Sequence, residues 1–250
     1  MRLVQISDLH FGPQFQQEVF ERAVEEINDI KPDVLVVTGD ITENGIVREY
    51  EDAKKSIERI ECERKVYCSG NHDYKSTGYL LFKRLFDPKR VLEFDNFVIA
   101  TISTARPDRD EGEIGYRQLI WLQRTLSKHE GKKKIVAMHH HVVPVPDTGT
   151  DRITVLDAGD ALRTFAYSNV DLVLCGHRHR PWFWRVERLL VVHAGTLSSL
   201  RTRGFFANTY NIIQIDDDSI KFSLKVVGGE LTSFEEFRRK SFEESVMPED

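Results

Sequence analysis

Cysteine, net charge, long apolar runs and internal repeats are all scarce in this chain. Three cysteines, Cys62, Cys68 and Cys175, occur among 250 residues. Their spacing forms no paired metal-binding motif, and two fall in or beside apolar runs that read as buried strands. Free thiols in a reducing compartment are therefore expected, and a disulfide scaffold is excluded. No apolar run approaches the roughly 18 residues of a membrane span. The first strand begins near Arg2 and its polar terminus is reached at Asp8, which leaves no room for a signal peptide. A cytoplasmic chain without a membrane partner is expected. The net charge of -5 is too small for a dedicated polyanion binder, so nucleic acid is disfavoured as a bulk electrostatic partner, though a nucleotide in a pocket is not. No repeat or low-complexity linker divides the chain. One domain over residues 1–232 is expected, followed by a charged, helix-prone tail over 233–250 that Phe234, Phe237 and Phe242 would clamp to the body. The oligomeric state is left open, a homo-oligomer included.

Hydrophobic periodicity is present instead. From Gln16 to Ile30, Val19, Phe20, Ala23, Val24, Ile27 and Ile30 recur at helical spacing, and Lys31-Pro32 ends the run. A second helix is predicted from Val47 to Ile60 and a strand from Lys65 to Cys68, so the first third reads βαβαβ, the signature of an α/β sheet with right-handed crossovers. Further helices are predicted near Tyr79–Phe86, Tyr116–Lys128 and Asp157–Phe165, and strands near Val91–Phe94 and Phe97–Ser103. The acidic stretch Pro107–Gly115 reads as a solvated surface loop, and Val142–Gly149 as a loop rich in proline and turn residues. The runs after Cys175, namely Trp182–Val186, Leu189–His193, Tyr210–Ile215 and Ile220–Val227, alternate like antiparallel strands and are expected to supply a second sheet.

Five apolar runs each end on side chains of metal-ligand type: Asp8-Leu9-His10, Gly39-Asp40, Gly70-Asn71-His72-Asp73, His139-His140-His141 and Gly176-His177-Arg178-His179. Ligands gather beyond the carboxyl ends of strands in open α/β sheets, so these five ends are expected to converge on one cavity. Asp8 and His10 are two residues apart, which in an extended strand places both on one face. One carboxylate at Asp40 can give an oxygen to each of two metals, setting up a dinuclear site. With the neutral carbonyl of Asn71 and the imidazoles of His139, His177 and His179, the donor set is mixed nitrogen and oxygen, which suits manganese, iron, zinc or cobalt better than magnesium or calcium. His72 is a candidate general acid. Asp73 would orient that imidazole or cap a turn. Of the three consecutive histidines, His139 is first after its strand and His140 is the fallback; His140 and His141 would otherwise touch substrate or brace a ligand. His193 reads as a core or bracing residue. Arg201 and Arg203 are candidates for holding a substrate phosphate, or a solvated pair.

The ordered set Asp8-X-His10, Gly39-Asp40, Gly70-Asn71-His72-Asp73, His139-His140 and Gly176-His177-X-His179 resembles the calcineurin-like metallophosphoesterase superfamily over about Met1 to His193. Within it, the chain is similar to the branch containing class III cyclic nucleotide phosphodiesterases and glycerophosphodiesterases. The resemblance implies a four-layer αββα sandwich of two mixed sheets flanked by helices, with a dinuclear metal site at the strand carboxyl ends. It assigns Asp8, His10, Asp40 and His179 to one metal, Asp40, Asn71, His139 and His177 to the other, and the acid role to His72. Relatives carry two histidines followed by prolines in the fourth block, whereas this chain has His139-His140-His141-Val142-Val143-Pro144.

The resulting expectation is a metallophosphoesterase that hydrolyses a small phosphodiester such as a cyclic nucleotide, with water activated between two metal ions as the attacking group. Its alternatives are a phosphomonoesterase or nuclease on the same site, and a metal-binding scaffold without catalysis.

Overall fold

The computed structural model describes residues 1–86, 90–146, 148–149, 154–203, 207–237 and 239. The first helical periodicity forms α1 (Gln17–Ile30), which buries Phe20, Ala23, Val24 and Ile27. It stops where Lys31 turns left-handed, with its N–H on the carbonyls of Ile27 and Asn28, because Pro32 cannot continue a helix. On either side lie β1 (Arg2–Ile6) and β2 (Val34–Thr38), followed by α2 (Val47–Ile57), β3 (Lys65–Cys68), a 3-10 turn at His72–Tyr74 and α3 (Gly78–Phe86). The middle of the chain gives β4 (Val91–Glu93), β5 (Phe97–Thr101), α4 (Tyr116–Leu126), β6 (Lys133–Ala137), α5 (Ala158–Tyr167) and β7 (Leu172–Cys175). The last strands are β8 (Trp182–Val186), β9 (Leu189–His193), β10 (Thr209–Ile215), β11 (Ile220–Val226) and β12 (Leu231–Thr232).

Two six-stranded mixed sheets result, ordered β12-β11-β10-β1-β2-β3 and β4-β5-β6-β7-β9-β8. Side-chain alternation sorts them into layers. On the first sheet Val4, Ile6, Leu35 and Val37 pack with the residues of α1, α2 and α3, while Leu3, Val34 and Val36 turn the other way to meet Ile135, Ala137, Leu172 and Leu174 of the second sheet. Val136, Val173 and Cys175 face outward against α4 and α5. The order is helix, sheet, sheet, helix, as the resemblance implies. Strands buried on both faces explain the continuous apolar runs, and each fully buried aliphatic side chain contributes about 1.5–3 kcal/mol of transfer free energy.

The late strands depart from expectation. They do not form a sheet of their own: β8 and β9 extend the second sheet, with β9 parallel to β7, and β10 pairs antiparallel with β1 in the first. Alternation identifies a strand but not its partner, and β1 offers β10 an edge that only the finished topology exposes. Residues 234–237 are helical; Phe234 is buried between the sheets against Phe183 and Phe222, and Phe237 packs on the same core. Phe242, expected to clamp the tail, lies outside the described residues.

Candidate metal centre

Parallel pairing of β1 with β2 and β2 with β3 brings their carboxyl ends to one edge of the first sheet. Parallel pairing of β6, β7 and β9 does the same in the second. The first two ends stay zipped beyond the strands: Asp8 N donates to Gly39 O, His10 N to Asp40 O and Phe11 N to Ile41 O. Asp8 and His10 are therefore not on an extended strand, since β1 stops at Ile6. They converge because both take left-handed backbone (φ 53° and 52°), and Asp40, His177 and His179 do likewise (φ 49°, 76° and 55°). Left-handed conformation costs a residue with a side chain about 1–2 kcal/mol, and such strain concentrates at functional sites.

All seven sequence-derived ligand candidates meet here, beside a cavity of about 520 Å³ lined in part by His10, Asp40, Asn71, His72, His177 and His179. Asp8 Oδ1 lies 3.3 Å from His179 Nε2, and the ring atoms His10 Nε2 and His179 Nε2 are 2.9 Å apart. On the other side His139 Nε2 is 3.2 Å from Asn71 Oδ1 and 3.3 Å from His177 Nδ1, while Asn71 Oδ1 is 3.1 Å from His177 Nδ1. Asp40 stands between the groups: its Oδ2 is 3.2 Å from His139 Nε2 and 3.8 Å from His10 Nε2, and its Oδ1 accepts the His72 amide at 2.8 Å.

The outward ring nitrogens identify which inward atoms are lone pairs. His10 Nδ1 faces Glu43 Oε2 at 2.8 Å, His139 Nδ1 faces the Thr38 carbonyl at 2.7 Å, and His179 Nδ1 faces the Arg201 carbonyl at 2.5 Å. Each must donate there, so Nε2, once it has given up any proton of its own, is an acceptor aimed inward. Lone pairs then confront lone pairs, carboxylate oxygens and an amide oxygen, an arrangement that repels itself unless cations lie among them. The donor set fits two metal ions, with Asp40 between the two groups of donors. Burial pushes the Asp40 carboxyl up, but the facing His139 outweighs it and holds Asp40 well below the carboxylate range. Burial likewise pushes His139 down, and Asp40 overrides it, raising His139 to about 9. His177 is driven well below the usual imidazole range by burial and by His140.

The other candidates separate. Asp73 does not touch the His72 ring; its carboxylate accepts from Ile41 N, Thr42 N, Thr42 Oγ1 and Gly70 N, so it ties the loop carrying Asp40 to the loop carrying Asn71. Burial, then the Asp40 charge, raises it to about 6. His72 is held through Nδ1 by Lys75 Nζ and the Glu43 carbonyl, both at 2.8 Å. His140 is engaged at both nitrogens, by Thr104 Oγ1 at 2.8 Å and the Asp110 carbonyl at 3.0 Å, and burial lowers it to about 3. His141 packs instead on His193, ring centroids 5.3 Å apart, both buried. Arg201 pairs with Glu43 at 3.0 Å, and Arg203 donates to the Thr148 carbonyl at 3.2 Å; both line the cavity.

Sequence reasoning missed four residues. Glu43 braces His10 and Arg201, and Lys75 braces His72. Asp110, from the loop expected to be mere surface, accepts from Asn71 Nδ2 at 3.4 Å. Arg178, between two ligand candidates, lines the cavity, where burial and the Arg203 charge push its guanidinium down to about 10. Only Arg178 lay inside a recognised motif; the others needed the fold.

A four-layer sandwich with paired nitrogen and oxygen donors at its strand ends is the frame of a metal-dependent hydrolase. Residues 1–181 match the family model of calcineurin-like phosphoesterases, and the chain belongs to that family, hydrolases of phosphoric ester bonds. It is 30% identical over 200 residues to a probable cyclic nucleotide phosphodiesterase of Synechococcus sp. strain WH7803, covering 72% of this chain and 75% of that one. It is 26% identical over 207 residues to the 3',5'-cyclic adenosine monophosphate phosphodiesterase CpdA of Escherichia coli K12, covering 76% and 74%. In fold it is similar to a dimetal phosphatase of Danio rerio, with a TM-score of 0.66 at 15% identity over 90% of this chain and 95% of that one. Among the described residues no helix is long and apolar enough to cross a membrane.

Proposed function

We propose that this protein is a metal-dependent phosphodiesterase acting on a small diester, the class that includes the cyclic nucleotides named for its relatives. The observation that carries this reading is the inward convergence of His10 and His139 Nε2 on Asp40 and of His179 Nε2 on Asp8, each ring fixed from behind. Asp8, His10, Asp40 and His179 would hold one metal, and Asp40, Asn71, His139 and His177 the other. His139 is favoured over His140 because His140 spends both ring nitrogens on Thr104 and Asp110. The mixed donor set suits manganese, iron or zinc. Two such ions supply Lewis acidity toward a phosphoryl oxygen and lower the pKa of water at neutral pH.

The protein's own groups do the rest. His72 Nδ1 and Lys75 Nζ both reach the Glu43 carbonyl at 2.8 Å, which fixes the ring, and in the protonated imidazole Nε2 would carry the proton offered to the leaving oxygen or a phosphoryl oxygen. Asp73 acts by positioning, through the backbone of the Asp40 and Asn71 loops. The test compares bis(p-nitrophenyl) phosphate with p-nitrophenyl phosphate after chelation and restoration of Mn²⁺. Faster diester cleavage is expected; a monoester preference would replace the reading with a phosphatase, and no activity on either would favour the non-catalytic scaffold.

A further inference from the structure

Three arginines line the cavity, and their partners divide them. Arg201 is neutralised by Glu43 at 3.0 Å. Arg178 and Arg203 have no carboxylate partner among the described residues. Arg178 is only 9% exposed, and its Nε is buried without a hydrogen-bond partner. Arg203 spends one nitrogen on the Thr148 carbonyl. The two share a support: Thr148 receives Arg203, and a Cβ at the adjoining Gly149 would lie 3.7 Å from Arg178 Nη2. Both guanidinium groups line one cavity and the Arg203 charge bears on Arg178, in a place where the neighbouring acids are committed, Glu43 to His10 and Arg201 and Asp110 to Asn71.

Arg203 is exposed and Arg178 is not; burying Arg178 without a carboxylate beside a second arginine is costly, and an anion that takes both forks relieves that cost. The single negative charge of a scissile phosphodiester belongs at the metal centre. Arg178 and Arg203 are cationic charge beyond what it requires, enough for a dianion. A terminal phosphate carries about -1.5 to -2 near neutral pH.

We propose that Arg178 and Arg203 form a subsite for a terminal phosphate on one arm of the substrate, so that the preferred diester is phosphorylated away from the scissile bond. This inference rests on the phosphodiesterase reading and narrows it: a plain 3',5'-cyclic nucleotide, which has no second phosphate, leaves the subsite unfilled.

The test uses two chromogenic diesters with one leaving group, the p-nitrophenyl ester of thymidine 5'-phosphate with and without a 3'-phosphate. In the Mn²⁺-loaded protein the 3'-phosphorylated diester is expected to have the higher kcat/KM by about tenfold or more, through KM, as a charge-assisted contact implies. In Arg178→Gln and Arg203→Gln that ratio should fall toward one, and Arg178→Lys should keep part of it. Because the ratio is taken within each protein, a smaller folded fraction does not affect it. Calorimetry of thymidine 3',5'-bisphosphate against thymidine 5'-phosphate gives a second readout without turnover, with the same preference expected and the same loss in the glutamine variants. A ratio near one in the unmodified protein, or a preference that survives both substitutions, would overturn the subsite. Failure to cleave either thymidine ester or bis(p-nitrophenyl) phosphate would instead overturn the phosphodiesterase reading itself.

Discussion

His10 Nε2 and His179 Nε2 face each other at 2.9 Å, although each ring is held from behind at Nδ1, one by the Glu43 carboxylate and the other by the Arg201 carbonyl. Glu43 also pairs with Arg201, so one buried acid orients a ligand candidate and anchors the segment that orients another. Partners of this kind fix the tautomer and raise basicity, and their loss typically weakens metal binding about 10–100-fold. Glu43→Gln is expected to lower Mn²⁺ affinity by that order while the fold is retained. Unchanged affinity in a metal titration would remove Glu43 from the account.

Metal binding should expel protons. With Asp40 opposite, His139 stays protonated up to about 9 in the metal-free protein. A ligand imidazole must be neutral. At pH 7 binding therefore releases a proton, and apparent affinity rises as pH climbs toward 9. Calorimetry in buffers of different ionisation enthalpy measures this directly; an enthalpy independent of buffer would contradict it.

The proposed role of His72 is chemical rather than structural. Its backbone amide donates to Asp40, so His72→Gln keeps that hydrogen bond. Metal content should be unchanged and kcat should fall about 10²–10⁴-fold, the usual contribution of a positioned acid. Loss of metal together with activity would make the ring structural.

Gly70 and Gly176 are sites of close approach. A Cβ at Gly70 would collide with the Asp40 carboxylate, and one at Gly176 with Ser7 Oγ. Each alanine substitution should destabilise the protein by about 1–3 kcal/mol, the usual cost of overpacking, and displace a ligand loop. Thermal unfolding with and without Mn²⁺ reads both effects, and a wild-type melting temperature for Gly70→Ala would show that the loops yield freely.

The sequence carried the strands, the helices and the clusters at the strand ends, because each is written in adjacent residues. Five short motifs therefore named the seven ligand candidates that meet at the strand ends. What contiguity cannot encode was lost. β10 was read as a strand, but not as the neighbour of β1, whose Gln5 stands opposite Asn211. Glu43 and Lys75 act through contacts that exist only once the β2 and β3 loops are packed together. Sequence alone allows Asp73 either to orient His72 or to cap a turn, and only the positions of the Ile41, Thr42 and Gly70 donors show where its carboxylate points. The route by which Asp8 and His10 converge also differed, since left-handed backbone past Ile6 replaces the strand pleat.

Asp40 is proposed to join two metal ions into one catalytic unit, and a Mn²⁺ titration of chelator-treated protein that follows bound metal and bis(p-nitrophenyl) phosphate hydrolysis together measures this directly. Activity is expected to appear as the second equivalent binds and to be lost in Asp40→Asn. Full activity with one equivalent or in excess chelator, or near-normal turnover in Asp40→Asn, would contradict it.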